Sequence, residues 1–304
     1  MQSLISKVIE QVDQIVLGKD QQVRLSLACL FAEGHLLIED LPGMGKTTLA
    51  HCLAKVLGLK FERVQFTSDL LPADILGVAI FEREQGVFKF HPGPVFTQVL
   101  LADEINRSSP KTQSALLEAM EEGQVTIEGK SRPLPKPFFV IATQNPLSQS
   151  GTFPLPESQL DRFLMRISLG YPSPASERAL FEGVDPRARI RELAPMVTHE
   201  QLAAIQAAVH QVKASNALLD YVQRLVAFTR TDSQFTYGLS PRGALALLRA
   251  AKAWALIHNR EYLVPEDVQT VLPAVVGHRV RGRGHSQDTE PLVKHLRDSV
   301  DVLG

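Results

Sequence analysis

A chain of 304 residues, 44% apolar and 21% charged, carries enough apolar surface to bury one large or two ordinary cores, so a folded, soluble protein is expected. Its formal net charge of −1 excludes a global electrostatic pull toward nucleic acid or anionic membrane, leaving only local contacts of that kind. No apolar run approaches membrane-spanning length, Lys7, Glu10 and Asp13 break the N-terminal stretch where a secretion signal needs an apolar core, and Cys29 and Cys52 offer neither a disulfide framework nor metal-ligand spacing; a reducing cytoplasm is the expected location.

Along residues 1–171, short apolar runs alternate with helix-periodic segments, the rhythm of a doubly wound parallel sheet covered by helices. Residues 36–39, 62–66, 99–103, 138–143 and 164–168 are the predicted strands, each nearly continuously apolar as a strand buried on both faces should be. The character changes at Tyr171-Pro172-Ser173-Pro174, so an α/β core over 1–171, a linker over 172–197 and a helical domain over 198–304 are expected. In the last segment Leu202, Ile205, Val209 and Val212 recur at helical spacing, as do Leu218, Val222, Leu225 and Phe228, and then Leu245, Leu248, Ala251 and Ala255; Trp254 reads as core.

The first chemical signal, Asp40-Leu41-Pro42-Gly43-Met44-Gly45-Lys46-Thr47, follows a predicted strand and opens a predicted helix with Leu49, Leu53 and Val56 on its apolar face. It is a phosphate-binding loop. Glycines let backbone N–H groups curl around a phosphate, the helix N-terminus adds partial positive charge, Lys46 reaches the terminal phosphates and Thr47 can ligate Mg²⁺. Pro42, Gly43, Met44, Gly45, Lys46, Thr47 and Thr48 are the expected ATP-binding residues, with Asp40 standing where such loops usually carry their first glycine.

Farther along, residues 81–93 read as a hairpin turning at Gln85-Gly86, and residues 124–135 as a second one turning near Glu128-Gly129-Lys130. Between them, Val99-Leu100-Leu101-Ala102-Asp103-Glu104 is an apolar strand ending in two carboxylates. Adjacent to a phosphate loop, Asp103 suits the Mg²⁺ shell and Glu104 suits the base that orients and deprotonates the attacking water. Ile141-Ala142-Thr143-Gln144-Asn145-Pro146 is a further strand that ends in an amide, which can hold water without taking its proton; Asn145 is placed to sense the γ-phosphate, with Thr143 as the neighbouring alternative. The basic run His278-Arg279-Val280-Arg281-Gly282-Arg283-Gly284-His285 lacks interleaved aromatics for base stacking and is expected to be a solvated loop, so nucleic acid is not an expected partner.

This succession of loop and strand ends resembles the AAA+ ATPases. Ile15-Val16-Leu17-Gly18, Leu101-Ala102-Asp103-Glu104-Ile105-Asn106-Arg107, Pro156-Glu157-Ser158-Gln159-Leu160-Asp161-Arg162-Phe163 and Leu239-Ser240-Pro241-Arg242 are similar to strings of the MoxR family within it, over nearly the whole chain. The resemblance implies a five-stranded parallel sheet of order 5-1-4-3-2, an all-helical C-terminal lid, and ATP with Mg²⁺ as cofactors. It places Val16, Leu17 and Gly18 beside the adenine, makes Asn145 the first sensor and Arg242 the second, and makes Arg162 the arginine finger reaching a neighbouring subunit's nucleotide. It further implies a hexameric homo-oligomer whose hairpins line a pore or touch clients, a chaperone-like role in complex maturation or cofactor insertion, and a partner bearing a von Willebrand factor A domain, which this chain lacks.

Two of these assignments have a physical basis. Arg162 lies just before the fifth predicted strand and should project from one edge of the domain, away from its own phosphate loop; Arg166 is its nearest competitor, and surface pairing with Asp161 or Glu157 is the alternative. Ser240, Pro241 and Arg242 read as the N-cap and first two residues of a lid helix, where an arginine is unfavourable unless a phosphate offsets the helix dipole. Rival functions are a small-molecule kinase, which needs an acceptor pocket, a DNA-remodelling ATPase, which DNA should stimulate, and a nucleotide-dependent scaffold, which has no use for a water-positioning pair.

Overall fold

The computed structural model describes residues 1–145, 151–183, 185–283 and 289–303. Five strands, β1 (His35–Glu39), β2 (Phe61–Gln65), β3 (Val99–Asp103), β4 (Phe139–Gln144) and β5 (Phe163–Ile167), pair in parallel in the order β5-β1-β4-β3-β2, which is the expected 5-1-4-3-2. Every residue of β3 is buried, as are Leu36, Leu37 and Ile38 of β1, consistent with helices on both faces. The expectation that all five strands are buried on both faces fails at β2. That strand lies at the sheet edge with one neighbour, and its Phe-Glu-Arg-Val-Gln sequence leaves Glu62, Arg63 and Gln65 exposed.

The helices are α1 (Gln2–Asp13), α2 (Asp20–Phe31), α3 (Lys46–Val56), α4 (Pro72–Leu76), α5 (Pro110–Glu122), α6 (Glu157–Leu160), α7 (Pro174–Phe181), α8 (Pro186–Glu192), α9 (His199–Gln211), α10 (Asn216–Thr231), α11 (Pro241–Ile257), α12 (Pro265–Val276) and α13 (Glu290–Ser299). The Pro-rich segment 172–197 is thus not featureless: it holds α7 and α8, and buried Ile190 of α8 belongs to the main core. Among the described residues the C-terminal region is helical apart from loops, a short antiparallel pairing of Phe235–Tyr237 with Arg281–Gly282 and an isolated parallel bridge between Lys213 and Tyr262. The expected α11 stripe holds at Ala251 and Ala255, which are buried, and at half-buried Leu248, but not at its first position. Leu245 is exposed at 68%, while Ala246, Leu247, Ala250 and Trp254 are buried, because α11 packs simultaneously on α12, α9 and core helix α2. Both hairpins form: Gly77–Glu82 pairs with Val87–Pro92, and Gln124–Ile127 pairs with Lys130–Pro133. The first leaves Ile80, Phe81, Val87 and Phe88 exposed, with the Phe81 and Phe88 rings 5.2 Å apart.

His35 opens β1 and ties the start of the sheet together. Its Nδ1 accepts the Val140 N–H at 3.0 Å, leaving Nε2 to donate toward the Met120 carbonyl at 3.3 Å, so the ring is held neutral. Burial pushes its pKa from 6.5 down to about 4. The unfolded chain therefore takes up a proton that the folded one refuses; His35's contribution is complete above pH 6.5 and is lost as pH falls from there toward about 4. Denaturant titration at about pH 7 and about pH 5 should show lower stability at the acid end, and His35→Gln, which keeps an acceptor without the titration, should narrow that difference.

Candidate functional site

Gly43 and Gly45 adopt φ of +85° and +88°, a region that excludes ordinary side chains, and a Cβ built on either would meet nothing within 4 Å. The loop is therefore an open cup whose wall is backbone. Gly45 caps α3, so Lys46 opens the helix, and its ammonium donates to the Asp40 carbonyl at 2.6 Å and to Asn145 Oδ1 at 3.1 Å. Burial lowers the Lys46 pKa, with the carboxylates of Asp40, Asp103 and Glu104 opposing that shift.

Asp40 has a definite task in place of the usual glycine. Its buried Oδ2 accepts the backbone N–H groups of Leu169 and Gly170 at 2.6 Å each and the Ser168 hydroxyl at 3.1 Å, while Oδ1 accepts the Leu41 N–H at 2.9 Å. Lys19 grips the same turn from the other side, donating to the carbonyls of Leu169, Gly170 and Tyr171. The start of the phosphate loop is thus bonded to the segment that leaves β5 toward the helical region. Nearby, Val16 is buried, Leu17 half-buried and Gly18 exposed, and Gly18 abuts Ser173 and Ser176 so closely that a Cβ would lie 2.5 Å from the Ser176 hydroxyl.

Beside the loop, the ends of β3 and β4 bring Asp103, Glu104, Thr143 and Asn145 together. The Thr143 hydroxyl donates to Asp103 Oδ1 at 2.6 Å and accepts the Glu104 N–H at 2.9 Å, which clamps two adjacent acids in fixed orientations. Glu104 sits at a φ of +55°, a left-handed conformation that costs about 1 kcal/mol or more for a residue with a side chain. Its carboxylate accepts from Gln65 Nε2 at 2.9 Å and Asn145 Nδ2 at 3.3 Å, and pairs with Arg107 at 3.1 Å. Asp103 Oδ2 pairs with Arg63 at 2.7 Å. The hydroxyl of Thr47 and the carboxylate of Asp103 are oxygen donors of the kind Mg²⁺ takes, so the residues present fit the ion.

Arg63 and Gln65 were not singled out from sequence. Their signal was three polar residues, Glu62, Arg63 and Gln65, within a segment expected to be apolar; Arg63 and Gln65, two apart, share one face of an edge strand beside the acids. Thr143 is not an alternative to Asn145 but the clamp between Asp103 and Glu104.

Arg162 and Arg242 lie elsewhere. Arg162 precedes β5, at the N-terminal end of the sheet; the phosphate loop follows β1 at the C-terminal end, about 13 Å away along a five-residue strand. Arg162 donates to the Leu117 carbonyl at 2.5 Å and pairs with Glu121 at 3.1 Å, in place of the Asp161 or Glu157 partner considered from sequence. Ser240 does cap α11, accepting the Gly243 N–H at 3.0 Å, but Arg242 is directed to the same Glu121 and not to Lys46. Both arginines line a cavity of about 710 Å³ between the sheet end and α11, together with Glu121, Leu245 and Arg249. Arg166 is committed to Glu39 at 3.0 Å and to Gly277 and Thr289 of the helical region.

The basic run divides: Arg281 and Arg283 are exposed, as a solvated segment should be, whereas His278, Arg279 and Val280 pack inward; Gly284 and His285 lie outside the described residues. His278 is buried, and burial with the charges of Arg279 and Arg166 holds its pKa well below the ordinary value. The Arg279 side chain is 4% exposed, pairs with Asp161 at 2.7 Å and donates to the Phe163 carbonyl at 2.6 Å. Asp161 also accepts from Ser240 Oγ at 3.3 Å, so the residue before Arg162 is bonded to the cap two residues before Arg242.

Thr143→Val keeps shape but deletes both bonds of the clamp. Nucleotide turnover should fall about 10- to 100-fold with ATP affinity changed far less, and Thr143→Ser should restore most of it; steady-state kinetics with binding titrations check this.

The ATPase family associated with various cellular activities (AAA) matches residues 35–165, and the AAA lid domain matches residues 227–298. The chain is 43% identical to the uncharacterized protein YeaC of Bacillus subtilis, over 98% of this chain and 95% of that one. It is 42% identical to Chaperone MoxR1 of Mycobacterium tuberculosis, over 91% of this chain and 75% of that one, and 34% identical to Protein MoxR of Methylorubrum extorquens, over 89% and 85%. A crystal structure of a proposed ATPase from Cytophaga hutchinsonii superposes with a TM-score of 0.89 at 36% identity, over 99% of this chain and 95% of that one. With the parallel sheet, the phosphate loop and the lid in place, the chain belongs to the MoxR family of AAA+ ATPases.

Proposed function

We propose that the protein hydrolyses ATP at sites shared between subunits of a homo-oligomeric ring and uses the cycle to remodel other proteins. The observation that carries this is the division of the expected site between opposite ends of one sheet: Lys46, Asp103, Glu104 and Asn145 at one end, Arg162 and Arg242 at the other. Arg162, fixed by the strand that follows it, cannot reach its own phosphate loop without unfolding the sheet, and Arg242 is bonded beside it on Glu121, whereas both face outward to a neighbour.

In the proposed site the backbone cup and Lys46 hold the β- and γ-phosphates. Bound with ATP, Mg²⁺ would be held by Thr47 and Asp103 and would neutralise phosphate charge. Asn145 positions water at the γ-phosphate, Glu104 takes its proton, and Arg162 with Arg242 from the adjacent subunit meet the charge that develops. Arg242, the second sensor by resemblance, thereby becomes a group that serves the neighbour.

A chaperone-like role is supported by the relative named Chaperone MoxR1 and by the exposed Phe81 and Phe88 hairpin, a surface suited to a client protein. A six-membered ring and a von Willebrand factor A domain partner rest on family resemblance, and a cytoplasmic location rests on the two cysteines and the charged N-terminal stretch. Among the described residues no helix is long and apolar enough to cross a membrane. Low basal turnover, the scaffold-like alternative, is favoured by one contact set: Gln65, Asn145 and Arg107 all engage the Glu104 carboxylate.

ATP hydrolysis per subunit, measured across a protein-concentration series, should climb with concentration and vanish in Glu104→Gln. A flat activity that Glu104→Gln leaves unchanged would reject both the shared site and the assigned base.

A further inference from the structure

Arg162 and Arg242 are distant in sequence and sit on different parts of the fold, yet both guanidiniums bond one carboxylate. Glu121 Oε2 pairs with Arg162 Nη2 at 3.1 Å and Oε1 pairs with Arg242 Nη2. Two cations converge on one cavity wall only where their repulsion is offset. Glu121 comes from the last turn of α5, which Gly123 ends at a φ of +61°, directly before the Gln124–Ile127 strand, and its side chain is 36% exposed. A carboxylate in the last turn of a helix faces the negative end of the dipole, so this position favours Glu121 only through the cations it holds. Each guanidinium has five N–H donors, and the side chains of Arg162 and Arg242 remain 27% and 52% exposed, leaving donors free for a phosphate.

We infer that Glu121 is a positioning residue, which presents Arg162 and Arg242 together as one clamp to the polyphosphate of a nucleotide bound by a neighbouring copy of the chain. This rests on the proposal that both arginines serve the neighbour. Glu121 does not touch the nucleotide. It fixes the spacing of the two groups that do, and the Asp161 contacts to Arg279 and Ser240 hold the backbone beneath them.

The test uses mixed full-length chains. Glu104→Gln chains keep their arginines but have a dead site; chains with Arg162→Ala and Arg242→Ala keep an intact site but lack the clamp. Neither should turn over ATP alone, and mixing should restore activity at junctions where clamp meets intact site. Adding Glu121→Gln to the Glu104→Gln chain should cut the restored kcat about tenfold with KM for ATP unchanged, whereas adding it to the arginine-less chain should change nothing. Glu121→Asp, which keeps the charge on a shorter stem, should recover part of the loss. If mixing restores no activity in rings shown to contain both chains, the shared-site proposal falls and this one with it. If mixing works but Glu121→Gln is harmless in the clamp-bearing chain, raises turnover there, or acts equally in either chain, the shared site stands and the role of Glu121 is overturned.

Discussion

A parallel sheet has two unlike ends, because every strand runs the same way, and this fold keeps its groups apart on that axis. At the C-terminal ends of β1, β3 and β4 the chain leaves the sheet through a glycine cup, a pair of acids and an amide. At the N-terminal end of β5 it enters past Asp161 and Arg162. The central strands β1, β4 and β3 are buried and hydrogen-bonded on both sides, so the separation cannot be closed by side-chain motion. The proposed dependence on a second subunit follows from that rigidity.

Strand β5 is also the strut by which the helical region is held. Near its start, Arg279 and His278 bond the Phe163 carbonyl and Arg279 pairs with Asp161; near its end, Arg166 joins Glu39 to Gly277 and Thr289. Just beyond, the turn at Leu169 and Gly170 is gripped by Asp40 and Lys19, and the Asp40 carbonyl accepts the Lys46 ammonium. A phosphate drawing Lys46 away would release one bond of this chain of contacts. The replacement of a loop glycine by Asp40 thus has a structural rationale: it joins the phosphate loop to the exit from the core.

The acid pair is set by competing demands. Glu104 occupies a left-handed backbone conformation, and the Thr143 hydroxyl compensates by satisfying its N–H while also holding Asp103. With Gln65, Asn145 and Arg107 on its carboxylate, Glu104 is held by side chains from β2, from the end of β4 and from the 3₁₀ turn after β3. Its direction is a property of three elements and not of the Asp-Glu string.

The sequence by itself determined what local rules can decide. Apolar runs followed by helix patterns specified five strands to within about one residue, and glycines before Lys46 and Thr47 specified a loop that backbone geometry alone explains. Turn residues specified both hairpins, and Ser240-Pro241 specified the start of α11. What only the tertiary structure decided are the pairings between distant segments: Thr143 with both acids, Asp40 with the turn after β5, Arg279 with Asp161, and Arg162 with Arg242 on Glu121. Sequence misread His278 to Val280 of the basic run as solvated, β2 as buried and Leu245 as part of the buried stripe of α11. In each case burial depended on which neighbour packed there, and a charged or apolar side chain carries no record of the partner that the fold will bring to it.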